Sequence, residues 1–133
     1  MPRILGIDYG TKRIGLALSD DQMNMAFPAE TVPNNWEDFK EKLLEIIEIE
    51  EISQIVLGLP TGLQGQETES TKKARKFGQK IEREFKLPVI FENEMFSTAE
   101  VLKQKSAPKN MVDASAAALI LENYLTRLKN INN

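Results

Sequence analysis

Hydrophobic and polar positions along the chain switch repeatedly between short apolar runs and helical spacing. Arg3–Asp8 and Arg13–Ser19 read as two β-rich runs around Tyr9-Gly10-Thr11-Lys12, the pattern of a hairpin. A third, weaker strand is expected over Ala26–Val32. After Pro33, Phe39, Leu43, Ile46 and Ile47 recur at helical spacing, which predicts an amphipathic helix over Trp36–Glu50. Gln54–Leu59 (QIVLGL) is β-branched and apolar after its first residue and suits a strand buried on both faces. It stops at Pro60, and a polar loop with two glycines follows. Across about Glu67–Phe85 the faces separate: Ala74, Phe77, Ile81 and Phe85 form one stripe. Lys72, Lys76, Gln79, Lys80 and Arg83 lie on another side. Pro88–Phe91 (PVIF) reads as a further buried strand. Ser97-Thr98-Ala99-Glu100 has the capping-box form and predicts a short helix ending before Pro108. Asn110 to about Leu128 is the last helix, Ala-rich at its start. This order predicts an α/β protein, a mixed sheet with helices on both faces.

Composition narrows the chemistry. The chain has 133 residues, the size of one domain, so a single domain over 1–133 is expected. No apolar run approaches the roughly 20 residues of a spanning helix, so no membrane partner is expected. The amino end runs straight into strand-like sequence without a signal peptide's cleavage region, so a cytoplasmic protein is expected. There is no cysteine and no histidine. Thiolate zinc sites, cysteine nucleophiles, imidazole ligands and a Ser-His-Asp triad are therefore excluded. Lys and Arg number 17 against 20 Asp and Glu, for a net charge of -3. Any nucleic-acid binding must use a local patch rather than global charge.

Three acids stand out by position. Asp8 ends the first strand, where neighbouring residues suggest a central place and an unneutralised carboxylate is costly. Gly10 lets the backbone turn closely, and Thr11, Lys12 and the turn amides suit an anion. Asp8 equally suits an acceptor of turn N–H groups. Glu94 follows PVIF where the chain leaves the sheet, the end of a strand at which ligands collect in open α/β sheets, though it also reads as a solvated loop residue beside Glu92. Asp113 shares its helical face with Ala117, Ile120, Leu121 and Tyr124, so it points toward the protein. It also suits the third position after an Asn110 cap, where the helix dipole favours negative charge. The small residues Ala114–Ala118 would let this helix approach the sheet closely, bringing Asp113 near the end of the first strand. Three converging carboxylates without histidine suit a hard divalent cation, Mg²⁺ or Mn²⁺, and hence phosphodiester chemistry. A cation also explains how like charges share one site.

The segments GIDYGTKRIGLAL, IVLGLP, ARKFGQKI, ENEMFSTAEV and VDASAAALILENYL occur in an order and spacing that resembles the YqgF family, RNase H-like pre-16S ribosomal RNA nucleases also described as Holliday junction resolvase-like. The resemblance covers essentially the whole length. It implies an RNase H-like fold with a central five-stranded mixed sheet flanked by helices. By motif match it also implies a metal site made of Asp8, Glu94 and Asp113. The chain departs from the family pattern at Asn93 and Met95, in Thr61–Gly65, in a short Ser106–Asn110 loop and at Met111, where a basic residue is common.

Of the basic residues, Lys12, Arg13, Lys103, Lys105 and Lys109 flank the acids most closely in sequence, and Thr11, Lys12 and Lys109 are the candidate substrate contacts. The stripe Lys72, Lys73, Arg75, Lys76, Lys80, Arg83 and Lys86 suits a nucleic-acid backbone, but interleaved Glu67, Glu69, Glu82 and Glu84 equally suit a solvated face. The leading expectation is a Mg²⁺- or Mn²⁺-dependent nuclease acting on structured RNA, by resemblance at the 5' end of precursor 16S ribosomal RNA. Asp8, Glu94 and Asp113 would hold the metal, with Lys12 on the scissile phosphate. A junction-resolving DNA nuclease acting on branched DNA and a nucleic-acid-binding module with a vestigial site are the alternatives. An actin-like nucleotide-binding module needs two domains, and the chain is too short. Oligomeric state is not legible.

Overall fold

A computed structural model describes residues 3–62, 64–93 and 109–132, without the side chains of 109–113, 131 and 132. The elements are β1 (Arg3–Tyr9), β2 (Arg13–Ser19), β3 (Ala26–Pro33), α1 (Trp36–Glu50), β4 (Ile52–Leu59), α2 (Glu69–Phe85), β5 (Val89–Asn93) and α3 (Lys109–Asn132). Every expected strand is present, and α1 has the bounds read from its periodicity. The short helix expected to open at Ser97 lies outside the described residues.

The five strands form one mixed sheet in the order β3-β2-β1-β4-β5. β2 runs antiparallel to both β1 and β3, while β4 is parallel to both β1 and β5. The three parallel strands therefore end at the same edge of the sheet. With three described helices packed on this sheet, the architecture is the α/β arrangement expected.

Alternation along β1 divides the core. Leu5 and Ile7 join Ile14, Leu16, Ile55 and Leu57 under α1 and α2, which contribute Phe39, Leu43, Phe77 and Ile81. Ile4 joins Ala17 and Val56 on the opposite face, under Ala117, Ile120, Leu121 and Tyr124 of α3. Burying such aliphatic side chains stabilises by about 1.5–3 kcal/mol each. The close approach expected of the Ala-rich helix is seen at Gly6. A Cβ there would stand 2.9 Å from Leu121 Cβ and 3.0 Å from the Ala117 carbonyl oxygen.

Local chemistry sets the helix starts. Asn35 caps α1 by accepting from the Glu37 and Asp38 amides at 3.0 and 3.4 Å, and these two acids complement the helix dipole. Thr68 and Thr71 cap α2 reciprocally. The buried Thr71 hydroxyl also donates to the Pro60 carbonyl, which ties the start of α2 to the end of β4. No described helix is long and apolar enough to cross a membrane.

Candidate active site

Asp8 is the penultimate residue of β1, the central strand of the sheet, and is half-buried. By alternation it shares the α3 face with Ile4 and Gly6. Its register partner on β2 is Gly15. The parallel register with β4, continued one step past Ile7↔Leu57, brings Gly58 to its other flank. Glycines thus occupy the register positions on both sides of Asp8. The sequence carries that feature as IG and LG dipeptides, which acquire their meaning only with the register.

The turn after Asp8 is held from several directions. The Gly10 amide donates to the Arg13 carbonyl at 3.0 Å. A Cβ on Gly10 would lie 2.5 Å from that same oxygen, so the position has no room for a side chain. Asn34, a residue sequence reasoning passed over, clamps the turn by donating from Nδ2 to the Gly10 carbonyl at 2.7 Å. Its own amide donates to the Lys12 carbonyl at 2.9 Å. Thr11 and Lys12 are exposed on this turn. Both stand at the edge where β1, β4 and β5 end.

Glu94 lies outside the described residues, as do Lys103 and Lys105. Asn93, immediately before Glu94, is the last residue of β5, and Thr61 Oγ1 lies 3.4 Å from its Oδ1. That contact links the ends of β4 and β5. Asp113 belongs to α3 by its backbone, one helical turn before Ala117, and its side chain lies outside the described residues, as does that of Lys109. The direction of α3 is visible from its contacts. Tyr124 Oη lies 3.4 Å from Oε1 of Gln54, the β4 neighbour of Ile4, whereas Ala117 and Leu121 sit at Gly6. Moving back along α3 thus moves forward along β1, toward Asp8. Among the described residues, no three His, Cys, Asp or Glu side chains come together.

Glu92 corrects the sequence reading, which ended β5 at Phe91 and left Glu92 in the loop. β5 continues to Asn93, and Glu92 is buried on the α3 face beside Gly58. Its Oε2 lies 2.7 Å from Arg127 Nη2 in an ion pair that lacks the alignment of a hydrogen bond. Burial pushes the Glu92 carboxyl above its ordinary pKa, and the Arg127 guanidinium opposes that shift. A buried acid at the end of an apolar strand gives no sign in the sequence of its partner 35 positions later.

A family model described as "RuvX: Holliday junction resolvase" matches residues 2–127. The chain belongs to the RuvX family. RuvX-family relatives named "Putative pre-16S rRNA nuclease" bear out the resemblance stated from the sequence. One from Maridesulfovibrio salexigens is 40% identical over 135 residues, covering 94% of this chain and 98% of the relative. Another from Koribacter versatilis is 42% identical over 134 residues, covering 94% and 87%. Among solved structures, Thermus thermophilus RuvC in complex with a Holliday junction substrate superposes with a TM-score of 0.61 at 14% identity, covering 96% of each chain. The yeast mitochondrial Holliday junction resolvase Ydc2 gives 0.56 at 12% identity, covering 97% of this chain and 81% of that one. These distant likenesses establish the RNase H-like fold.

Proposed function

We propose that this RuvX-family chain is a divalent-metal-dependent nuclease that hydrolyses phosphodiester bonds of structured RNA, with the 5' end of precursor 16S ribosomal RNA as its substrate. The reading includes one catalytic domain over residues 1–133 and a cytoplasmic location. The observation that carries it is the setting of Asp8: a half-buried carboxylate at the end of the central strand, flanked by Gly15 and Gly58. Glycine on both flanks suits a hydrated cation beside this carboxylate. Glu94, directly after β5, and Asp113, one turn before Ala117, complete an all-oxygen donor set for Mg²⁺ or Mn²⁺. Bound there, such an ion supplies activation of water and neutralisation of charge on the phosphodiester.

The chain's own residues have separable tasks in this reading. Asp8, Glu94 and Asp113 hold the ion. The Gly10–Lys12 turn, fixed by Asn34, presents Thr11 and Lys12 to the scissile phosphate, and Lys109 is the further candidate contact. Asp8→Asn is expected to abolish Mn²⁺-dependent cleavage of labelled RNA while leaving RNA affinity similar or slightly higher, because the lost charge only repelled the backbone. Lys12→Ala is expected to weaken binding and reduce its salt dependence in the same buffer. Cleavage by purified Asp8→Asn at the wild-type rate would remove the central residue from the assignment. The family description favours four-way DNA as a second substrate, and the same assay run on both nucleic acids, with Mn²⁺ and with chelator, decides between them. Binding without cleavage by wild type on either substrate would make the vestigial-site reading the better one.

A further inference from the structure

On the face of the sheet opposite Asp8, the outer side of α2 concentrates positive charge in a chain that is negative overall. Residues 69–86 contain seven Lys and Arg against three Glu. The structure sorts these cations into two groups. Arg75 pairs with Glu67 at 3.1 Å and Lys72 with Glu69 at 3.7 Å. Lys73, Lys76 and Lys80 instead rim an open cleft of about 330 Å³ whose floor is Tyr9, Trp36 and Phe77. Lys73 and Lys76 are exposed and pair with no acid among the described residues, while Lys80 Nζ sits 4.0 Å from the Trp36 ring centroid.

An aromatic floor under a cationic rim matches a ligand with flat, weakly polar groups and regularly spaced anions. A single strand of nucleic acid has that chemistry, and a duplex hides its bases from such a floor. The spacing agrees. Lys73, Lys76 and Lys80 span about 10 Å of helix axis, enough to meet two or three successive phosphates of a stacked strand. The cleft also has a direction. A smaller depression lined by Tyr9, Gly10, Thr11, Ser70 and Lys73 continues from it to the turn beside Asp8. Tyr9 and Lys73 belong to both.

We propose that this cleft binds a single-stranded RNA segment next to the phosphodiester that is cut, with Lys73, Lys76 and Lys80 on its phosphates, so that the strand passes around the Gly10–Lys12 turn to the carboxylate edge. The proposal rests on the nuclease reading but concerns residues on the other face of the sheet. Trp36 is the chain's one tryptophan, so its fluorescence reports on the cleft alone. The test titrates the protein, in chelator, with a labelled oligouridylate of about twelve nucleotides and with an RNA duplex of similar length. Label anisotropy and Trp36 emission are read together.

The expected result is a change in Trp36 emission that saturates with the anisotropy, and tighter binding of the single strand than of the duplex. Lys73→Gln/Lys76→Gln should weaken single-strand binding by about fivefold or more and lower the salt slope by about 1.4, two phosphates' worth. Equal affinity for duplex and single strand overturns the choice of occupant. Binding with unchanged Trp36 emission and no effect of the double variant overturns the cleft, and Mn²⁺-dependent cleavage that still requires Asp8 would show the nuclease reading intact. Oligouridylate bound at Trp36 by a protein that cleaves neither RNA nor four-way DNA would defeat the nuclease reading, and with it the claim that the bound segment flanks a cut.

Discussion

Gly6 and Asp8 stand two positions apart on β1 and share the face that α3 covers, where Gly6 must be small. Gly6 lets the helix backbone approach. A methyl group there meets Leu121 Cβ at 2.9 Å and the Ala117 carbonyl at 3.0 Å, both parts of a packed helix rather than the end of a flexible side chain. Gly6→Ala is therefore expected to lower stability by about 1–3 kcal/mol, read from urea unfolding, with an unchanged slope if only packing is affected. A cost near zero would show that α3 can retreat without loss. Asp8 was legible in the sequence because a carboxylate ending an apolar strand is an anomaly in any register. Its glycine flanks were not legible as such, since Gly15 and Gly58 become its neighbours only through strand pairing. Asn34 was passed over for a similar reason: a polar residue before a helix reads as loop, and nothing local points to a turn more than twenty residues earlier.

Among the elements, α1 could be bounded from sequence because its periodicity and its Asn35 cap agree. α2 begins two residues later than its pattern suggests because Thr68 takes the cap and Glu67 is left outside, paired to Arg75. β5 runs two residues further than its apolar run because Glu92 finds Arg127 on α3. That pair joins the strand preceding Glu94 to the helix carrying Asp113. Its pH behaviour follows from the raised pKa of Glu92. The folded protein holds this proton more tightly than the unfolded chain does. The contribution to stability is therefore complete below the ordinary glutamate range, about pH 4.3, and is lost as pH rises through the folded pKa. Arg127 limits that loss. In Arg127→Met, stability should fall more steeply than in wild type between about pH 4 and about pH 7, with a deficit of about 1–2 kcal/mol at the upper end, since Arg127 is half-exposed. Glu92→Gln introduced into both backgrounds should remove the difference in slope. Urea midpoints across this range check it, and parallel profiles for wild type and Arg127→Met would mean that the guanidinium does not stabilise the buried carboxylate.

At the scale of the whole molecule, the sheet order is what gathers the chemistry. With β1 parallel to β4 and β4 parallel to β5, three strand ends meet at one edge, and α3 returns across β1 in the opposite direction. The site proposed above draws on residues 8, 94 and 113, which the sequence scatters over more than a hundred positions. Periodicity revealed the strands and helices, but strand order and the path of α3 depend on contacts between distant segments. A site made this way has a thermodynamic signature independent of turnover. Without a cation, clustered carboxylates repel. A cation that binds only the folded state stabilises it by RT ln(1 + [M]/Kd), about 2.7 kcal/mol at a hundredfold excess over Kd. For a domain of 133 residues, that corresponds to a rise in Tm of several degrees with Mn²⁺ or Mg²⁺. Asp113→Asn should lose most of this rise while its Tm in chelator equals or exceeds that of wild type, because one repelling charge is gone. Thermal unfolding of both proteins with chelator and with Mn²⁺ measures the two effects together. A Tm rise in Asp113→Asn as large as in wild type would return Asp113 to the part of a helix-end acid beside Asn110, and would leave Asp8 and Glu94 to hold any ion without it.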